Sequence, residues 1–298
     1  MEPAPDSPGG PAGSVAGPVA VAVVGLGAMG APVVRYLREA GHGVRVHDLD
    51  PAALARAAGL GAVVAGSAGD AARGSAAVAV FVPSDDDVLA VCLGEDGVLA
   101  GAAPGTVVLL CSSVRPETCA AVADAAPDGV DVLDAALTGG VRAADAGEVN
   151  LLVGGDADVL DRVRPLLAPW TRAVHHLGPL GSGQVGKTAN NLVHWAQIAA
   201  ISEALELARR GGVSVPVLRR ALMDGPTDSR TLRELEQMRL TWHVKDLANT
   251  ADLAARVGLD VPVAETAREV MLRTTVATLA RLLDDQDPRS AEPDVTVV

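Results

Sequence analysis

The sequence predicts an α/β chain, in which a doubly wound, mostly parallel sheet is followed by an all-helical C-terminal domain. Three observations carry this expectation. Between residues 19 and 180, short apolar runs alternate with helical patterns, as in parallel strands joined by crossover helices. Beyond Gly181 only helical patterns remain. The first apolar run also leads straight into a spaced glycine triplet, then a helix, a second strand and an acid.

Residues 1–18 are rich in Pro, Gly, Ala and Ser and lack large apolar side chains, so a disordered tail is expected there. Residues 19–24 read as a fully buried strand, followed at once by Gly25-Leu26-Gly27-Ala28-Met29-Gly30. Pro32 sits in the first turn of the next helix, where its missing N–H costs nothing. That helix ends at Gly41, before a second strand, Gly43–His47, closed by Asp48. Further strands are expected at 76–82, 106–110, 130–134, 148–153 and 173–177, with helical patterns such as Asp85–Leu93 and Ala157–Leu167 between them. The helical part reads as 184–210, 216–222, 231–239, His243–Val257 and 263–283. The expected domains are therefore 19–180, a dinucleotide-binding unit, and 181–284, a helical substrate and dimerisation unit. A flexible tail, 285–298, is expected after them.

Composition excludes several classes. The chain is 298 residues long with a net charge of −13, which argues against nucleic acid as a partner. Its 2% aromatic content leaves no stacking platform for single strands. Three cysteines, Cys92, Cys111 and Cys119, have no disulfide or zinc spacing and read as buried thiols in a reducing compartment. The uncharged stretches 7–34 and 97–114 are interrupted by Gly and Pro, so no membrane span and a cytoplasmic protein are expected. His175-His176 would point to opposite faces of a strand, and no metal site is expected.

The glycine triplet in its strand–turn–helix setting matches the dinucleotide fingerprint of a Rossmann-type unit. Its first glycine permits the turn, the second admits a pyrophosphate and the third allows close helix packing. Asp48, ending the second strand, is placed to accept from ribose hydroxyls and to repel a 2′-phosphate. Leu49-Asp50-Pro51 supply no arginine to hold such a phosphate, so NAD is favoured while NADP stays possible. Thr138-Gly139-Gly140 reads either as a cradle for a substrate carboxylate or as a plain turn. Of 24 basic residues only Lys187 and Lys245 are lysines. Arginine keeps its proton near neutral pH, whereas a lysine in an apolar cleft can release it, so scarcity marks both lysines as functional. Lys187 and Asn191 are four apart and share a helical face. Trp195, Ile198, Ala199 and Leu205 read as helix core or a subunit interface.

Taken together, Gly25 to Pro32, Asp134 to Gly140 with Ala144 and Gly147, Gly181 to Asn191, and Lys245-Asp246-Leu247 resemble the β-hydroxyacid dehydrogenase family. The resemblance covers residues 19–283. It implies that Lys187 is the catalytic acid/base, that Asn191 holds substrate, and that Thr138, Gly139 and Gly140 bind its carboxylate. It also implies cofactor contacts at Val82, Pro83, Asp87, Ser113 and Lys245, besides the glycine turn, and a homodimer or tetramer acting on a small hydroxy acid or its semialdehyde. The family's Asp-Ala-Pro-Val-Ser-Gly-Gly reads Asp134-Ala135-Ala136-Leu137-Thr138-Gly139-Gly140 here, departures expected to alter the rim of the substrate pocket. The rival readings are an imine reductase, whose members usually carry aspartate or tyrosine at the position of Lys187, and a non-catalytic NAD sensor. An apolar helix beginning at Lys187, with Trp195 at its centre, is expected to pair two chains.

Overall fold

The computed structural model describes residues 17–284. The N-terminal tail expected up to Pro18, but for Gly17 and Pro18, and the C-terminal tail 285–298 lie outside the described residues. The chain divides between Lys187 and Thr188 into two compact units.

The first unit runs β1 (Ala20–Val24), α1 (Gly30–Glu39), β2 (Gly43–His47), α2 (Pro51–Gly59), β3 (Val63–Val64), α3 (Ala68–Ala72), β4 (Ala77–Val80), α4 (Asp85–Leu93) and α5 (Val98–Gly101). It continues through β5 (Val107–Leu110), α6 (Pro116–Asp124), β6 (Asp131–Thr138), α7 (Gly140–Ala146), β7 (Val149–Gly154), α8 (Ala157–Leu167) and β8 (Thr171–Gly178). The strands form one sheet in the order β3-β2-β1-β4-β5-β6-β7-β8. Neighbours are parallel except β6 and β7. Successive strand residues feed opposite faces. Val21, Val23, Val107 and Leu109 join one core cluster, while Ala22, Val24, Val108 and Leu110 join another. Both faces are covered, which is why these strands read as continuous apolar runs rather than alternating ones. The three cysteines are free and buried, and burial pushes the thiol of Cys92 up to about 12 and those of Cys111 and Cys119 up as well.

Two features of the sheet were not foreseen. The edge strand β3 is only two exposed valines, too short for any periodic signal. Strand β6 runs on to Thr138 instead of ending at Asp134, because its two halves have different partners. Residues up to Asp134 pair with β5, and those from Asp134 onward pair antiparallel with β7.

A 29-residue helix, α9 (Ser182–Arg210), carries the chain out of the first unit into the second. The second unit adds α10 (Val215–Met223), α11 (Arg230–Arg233), α12 (His243–Val257), α13 (Pro262–Met271) and α14 (Val276–Leu283). The helix expected over 231–239 breaks after Arg233 into a separate 3-10 turn, Leu235–Gln237. Arg219 of α10 reaches across and donates to the carbonyls of Leu232 and Arg233, taking acceptors a continuing helix would use. The helix expected over 263–283 is two helices, since Thr275 and Thr278 form a reciprocal cap that starts α14. Among the described residues no helix is long and apolar enough to cross a membrane.

Trp195, Ile198, Leu205, Leu235, Leu247, Met271 and Leu279 make the core of the helical unit. Trp195 is 3% exposed, and its indole N–H donates to Asp246 at 3.0 Å. The expectation that Trp195 pairs two chains is thereby corrected: helices of its own chain already cover it. Val185, Val193 and Leu207, 44%, 57% and 74% exposed, are the open large apolar positions on α9. Trp195→Ala should therefore cost about 3–5 kcal/mol, the usual range for emptying a buried aromatic site. Urea denaturation should show that loss at every protein concentration; a loss that disappears on raising the concentration would return Trp195 to an interface.

Candidate functional site

Parallel strands β1, β2, β4, β5 and β6 deliver their C-terminal ends to one edge of the sheet. The strand order reverses between β1 and β4, so a crevice opens there, where open α/β sheets take ligands. Gly25 leaves β1 at φ +89, and a Cβ on it would strike the Phe81 carbonyl that follows β4. A Cβ on Gly30 would strike the carbonyl of Gly25, so the start of α1 closes directly on the turn. Gly27 faces open space, with nothing within 4 Å of a Cβ built there. Tight turn, open centre and close helix fit a pyrophosphate at the α1 N-terminus. Leu26 is buried, whereas Gly27 and Ala28 are exposed and Met29 half-buried.

Asp48 stands at the end of β2, half-buried. One carboxylate oxygen accepts the N–H of Leu26 and the other accepts the N–H of Asp50 at 2.7 Å. The acid thus pins the glycine turn to the β2 loop, a structural task that sequence reasoning did not assign to it. After β4, the N–H of Val82 donates to the Ser112 hydroxyl at 2.9 Å, while Pro83 is exposed. Asp87 is the third residue of α4, in a reciprocal cap with Ser84: its N–H donates to the Ser84 hydroxyl, which donates to its carboxylate at 2.6 Å. Ser113 lies half-buried after β5.

Thr138, the last residue of β6, is half-buried, and Gly139 and Gly140 follow at φ +107 and +69. Ala136 and Leu137 are buried within β6, and of the three altered positions only Thr138 is partly open. The far end of α7 is clasped by α1, because Tyr36 and Arg35 both donate to the carbonyl of Asp145.

The first turn of α9 is held by a side chain from the sheet. Asp134, 0% exposed, accepts the N–H of Gly181 at 2.6 Å and that of Gln184 at 2.8 Å. Burial pushes its carboxyl above the ordinary value, and the N–H donors of Gly181 and Gln184 act against that shift. A Cβ on Gly183 would meet the Leu152 carbonyl and the Asp134 carboxylate, the latter at 2.7 Å, so only glycine fits between helix and sheet. Gln184, also buried, donates to the Ser112 carbonyl and accepts from the N–H of Val114. Lys187 follows in the second turn, half-buried, with buried Asn191 one turn further on. In the helical unit, Asn190 donates to Asn191, and Trp195 fixes Asp246, the neighbour of half-buried Lys245, on the first turn of α12.

Sequence reasoning missed Asp134, Gln184 and Ser112 as site-building residues. Asp134 had a legible signal, an acid set among the apolar residues Leu133, Ala135, Ala136 and Leu137, where it needs donors to be tolerated. Gln184 and Ser112 carried none, since their partners lie 70 and 30 residues away in the chain. Among the described residues no group of three or more His, Cys, Asp and Glu is placed to hold a metal.

Residues 20–178 match the family described as the NAD binding domain of 6-phosphogluconate dehydrogenase. Residues 181–289 match the family described as NAD-binding of NADP-dependent 3-hydroxyisobutyrate dehydrogenase. The NAD-dependent L-serine dehydrogenase of Pseudomonas aeruginosa is 39% identical over 66% of this chain and 67% of its own length. The 2-hydroxy-3-oxopropionate reductase of Escherichia coli is 33% identical over 83% of this chain and 88% of its own. Among solved structures, the 3-hydroxyisobutyrate dehydrogenase of Mycobacterium tuberculosis with L-serine has a TM-score of 0.80 and 29% identity. The match spans 90% of this chain and all of that one.

Asp134→Asn keeps an acceptor for one N–H of α9 but presents an NH2 group to the other. The orphaned donor should lower stability by about 1–3 kcal/mol, measured by chemical denaturation. Unchanged stability would show that the buried carboxylate does not hold the helix.

Proposed function

This chain belongs to the β-hydroxyacid dehydrogenase family, and from that premise we propose how its residues divide the work of an NAD(P)-dependent 3-hydroxyacid dehydrogenase. Lys187 is the general acid/base. Its placement carries the reading: it stands in the second turn of a helix whose first turn is bolted to the sheet by Asp134 and Gln184. A proton-transfer group held on so rigid a support loses little to misorientation. Thr138, Gly139 and Gly140 receive the substrate carboxylate, and Asn191 holds the substrate from the next turn of the Lys187 helix. The glycine turn, Val82, Pro83, Asp87, Ser113 and Lys245 hold the dinucleotide.

The named relatives act on L-serine, 3-hydroxyisobutyrate and 2-hydroxy-3-oxopropionate. These molecules share a carboxylate and an oxygen on C3, which is the pattern proposed for the substrate here. Bound nicotinamide supplies or accepts the hydride. Neutral Lys187 takes the hydroxyl proton in oxidation and, as the ammonium, returns it in reduction, while the Gly139 and Gly140 region fixes the carboxylate end. NAD is the proposed cofactor, because Asp48 faces the turn and Leu49 beside it, 92% exposed, offers no charge to a 2′-phosphate. The helical unit is proposed to pair chains, with the exposed side of α9 at Val193 and Leu207 as the contact.

Steady-state kinetics with L-serine, 3-hydroxyisobutyrate and tartronate semialdehyde, each with both cofactors, tests this reading. Lys187→Ala should lower turnover by about 10²–10⁴-fold with NADH binding retained. Lys187→Arg should recover none of it, since arginine holds its proton. Near-normal turnover of the arginine variant would remove Lys187 from the chemistry. For the cofactor, Asp48→Ser combined with Leu49→Arg should shift preference toward NADP. Preference for NADPH in the unaltered protein would overturn the reading of Asp48.

A further inference from the structure

We propose that Gln184 is a positioning residue for the reaction, setting Lys187 against the loops that end β4 and β5; this rests on the reading of Lys187 as the acid/base. Gln184 is 2% exposed, and both ends of its amide meet the backbone of the loop after β5. Its Nε2 donates to the Ser112 carbonyl at 2.9 Å, and its Oε1 accepts from the Val114 N–H at 3.1 Å. Turning the amide over would set donor against donor and acceptor against acceptor, so its orientation is determined. The backbone N–H of the same residue is held by Asp134. Ser112 extends the chain of contacts, accepting from the Val82 N–H at 2.9 Å and donating to the Val80 carbonyl at 3.4 Å.

Two buried side chains therefore tie three backbone segments together: the ends of β4 and β5 and the first turn of α9. The first two segments carry Val82 and Ser113, assigned above to the site, and the third leads directly into the turn of Lys187. Gln184 and Lys187 are three apart on one helix, hence about one turn from each other on a shared face. Asp134 grips this turn from the sheet, at the N–H groups of Gly181 and Gln184. The amide supplies a second point of attachment, directed at the cofactor side of the sheet edge. Asp134 thus holds the helix to the sheet, while Gln184 sets its rotation relative to the loops.

Gln184→Leu keeps the shape and removes the hydrogen bonds of the amide, those to Ser112 and Val114 included. The test measures single-turnover rates for this variant, for Lys187→Ala and for the double variant. The probe is NAD with whichever of L-serine and 3-hydroxyisobutyrate the unaltered protein turns over faster, and NADH binding is measured alongside. Gln184→Leu should lower the rate by about 10–100-fold, the loss expected for misplacing a reacting group by roughly an ångström. NADH affinity should change little. In the Lys187→Ala background the same substitution should cause no further loss, because a residue that acts through Lys187 has nothing left to position. Losses that multiply, or a Gln184→Leu enzyme with normal turnover, would overturn the proposal and leave Gln184 a packing residue. A Lys187→Ala enzyme with full activity, or no turnover of either probe by the unaltered protein, would bring down the functional reading itself and this inference with it. If Gln184→Leu does not fold, Gln184→Glu, which keeps the acceptor but cannot donate to Ser112, serves the same cycle with the same outcomes.

Discussion

A carboxylate without solvent contact, Asp134 at the middle of β6, holds the start of α9, and the rest of the candidate site depends on that attachment. Taking a carboxylate out of water is costly unless donors replace its hydration. The N-terminus of a helix supplies them, because its first N–H groups have no partners inside the helix and its dipole favours negative charge. Each side answers the other's need: the helix start is capped, and the buried acid is solvated by protein. The arrangement also explains the glycines before Lys187. At Gly183 there is no volume for a Cβ between the helix and the Leu152 carbonyl.

The same economy of contacts recurs along the sheet edge. Asp48 joins the glycine turn to the loop after β2, Ser112 joins the loops after β4 and β5, and Gln184 joins the latter to α9. Asp48 and Ser112 each bridge adjacent strand ends, and Gln184 adds the helix, so the loops that would surround a dinucleotide are not independent pieces. Loops on such an edge are rigid only when something other than the sheet ladder holds them, since the ladder stops where the strands stop. Here side chains of the loops themselves do so. Arg35 and Tyr36 extend the pattern by fixing the end of α7, and with it the helix that follows Gly139.

In the helical unit, Trp195 has a comparable part. Its ring packs beside His194 and His243, and its N–H meets Asp246, so the centre of α9 and the beginning of α12 are set together. A tryptophan that buries its ring and satisfies its one donor contributes both area and direction. Asn191, one turn before Trp195, and Lys245, one residue before Asp246, take their positions from that contact.

Local pattern alone determined the succession of strands and helices, the glycine turn, the acid after β2 and the lysine that composition singled out. Each of these is written in neighbouring residues: apolar runs covered on both faces, glycines at fixed spacing, one residue type used almost nowhere else. Tertiary structure decided what those signals could not reach. The register that lets β6 change partners at Asp134, the edge strand β3 and the breaks within the last helices depend on groups distant in the chain, such as Arg219 on the Leu232 and Arg233 carbonyls. The burial of Trp195 depends on helices that follow it by fifty residues or more, as its bond to Asp246 shows. Asp134, Ser112 and Gln184 became site-builders only when the fold brought their partners within hydrogen-bond reach. A pattern of neighbours specifies which side chains are available, but a hydrogen bond between residues 70 apart exists only once the sheet has set its strand ends side by side.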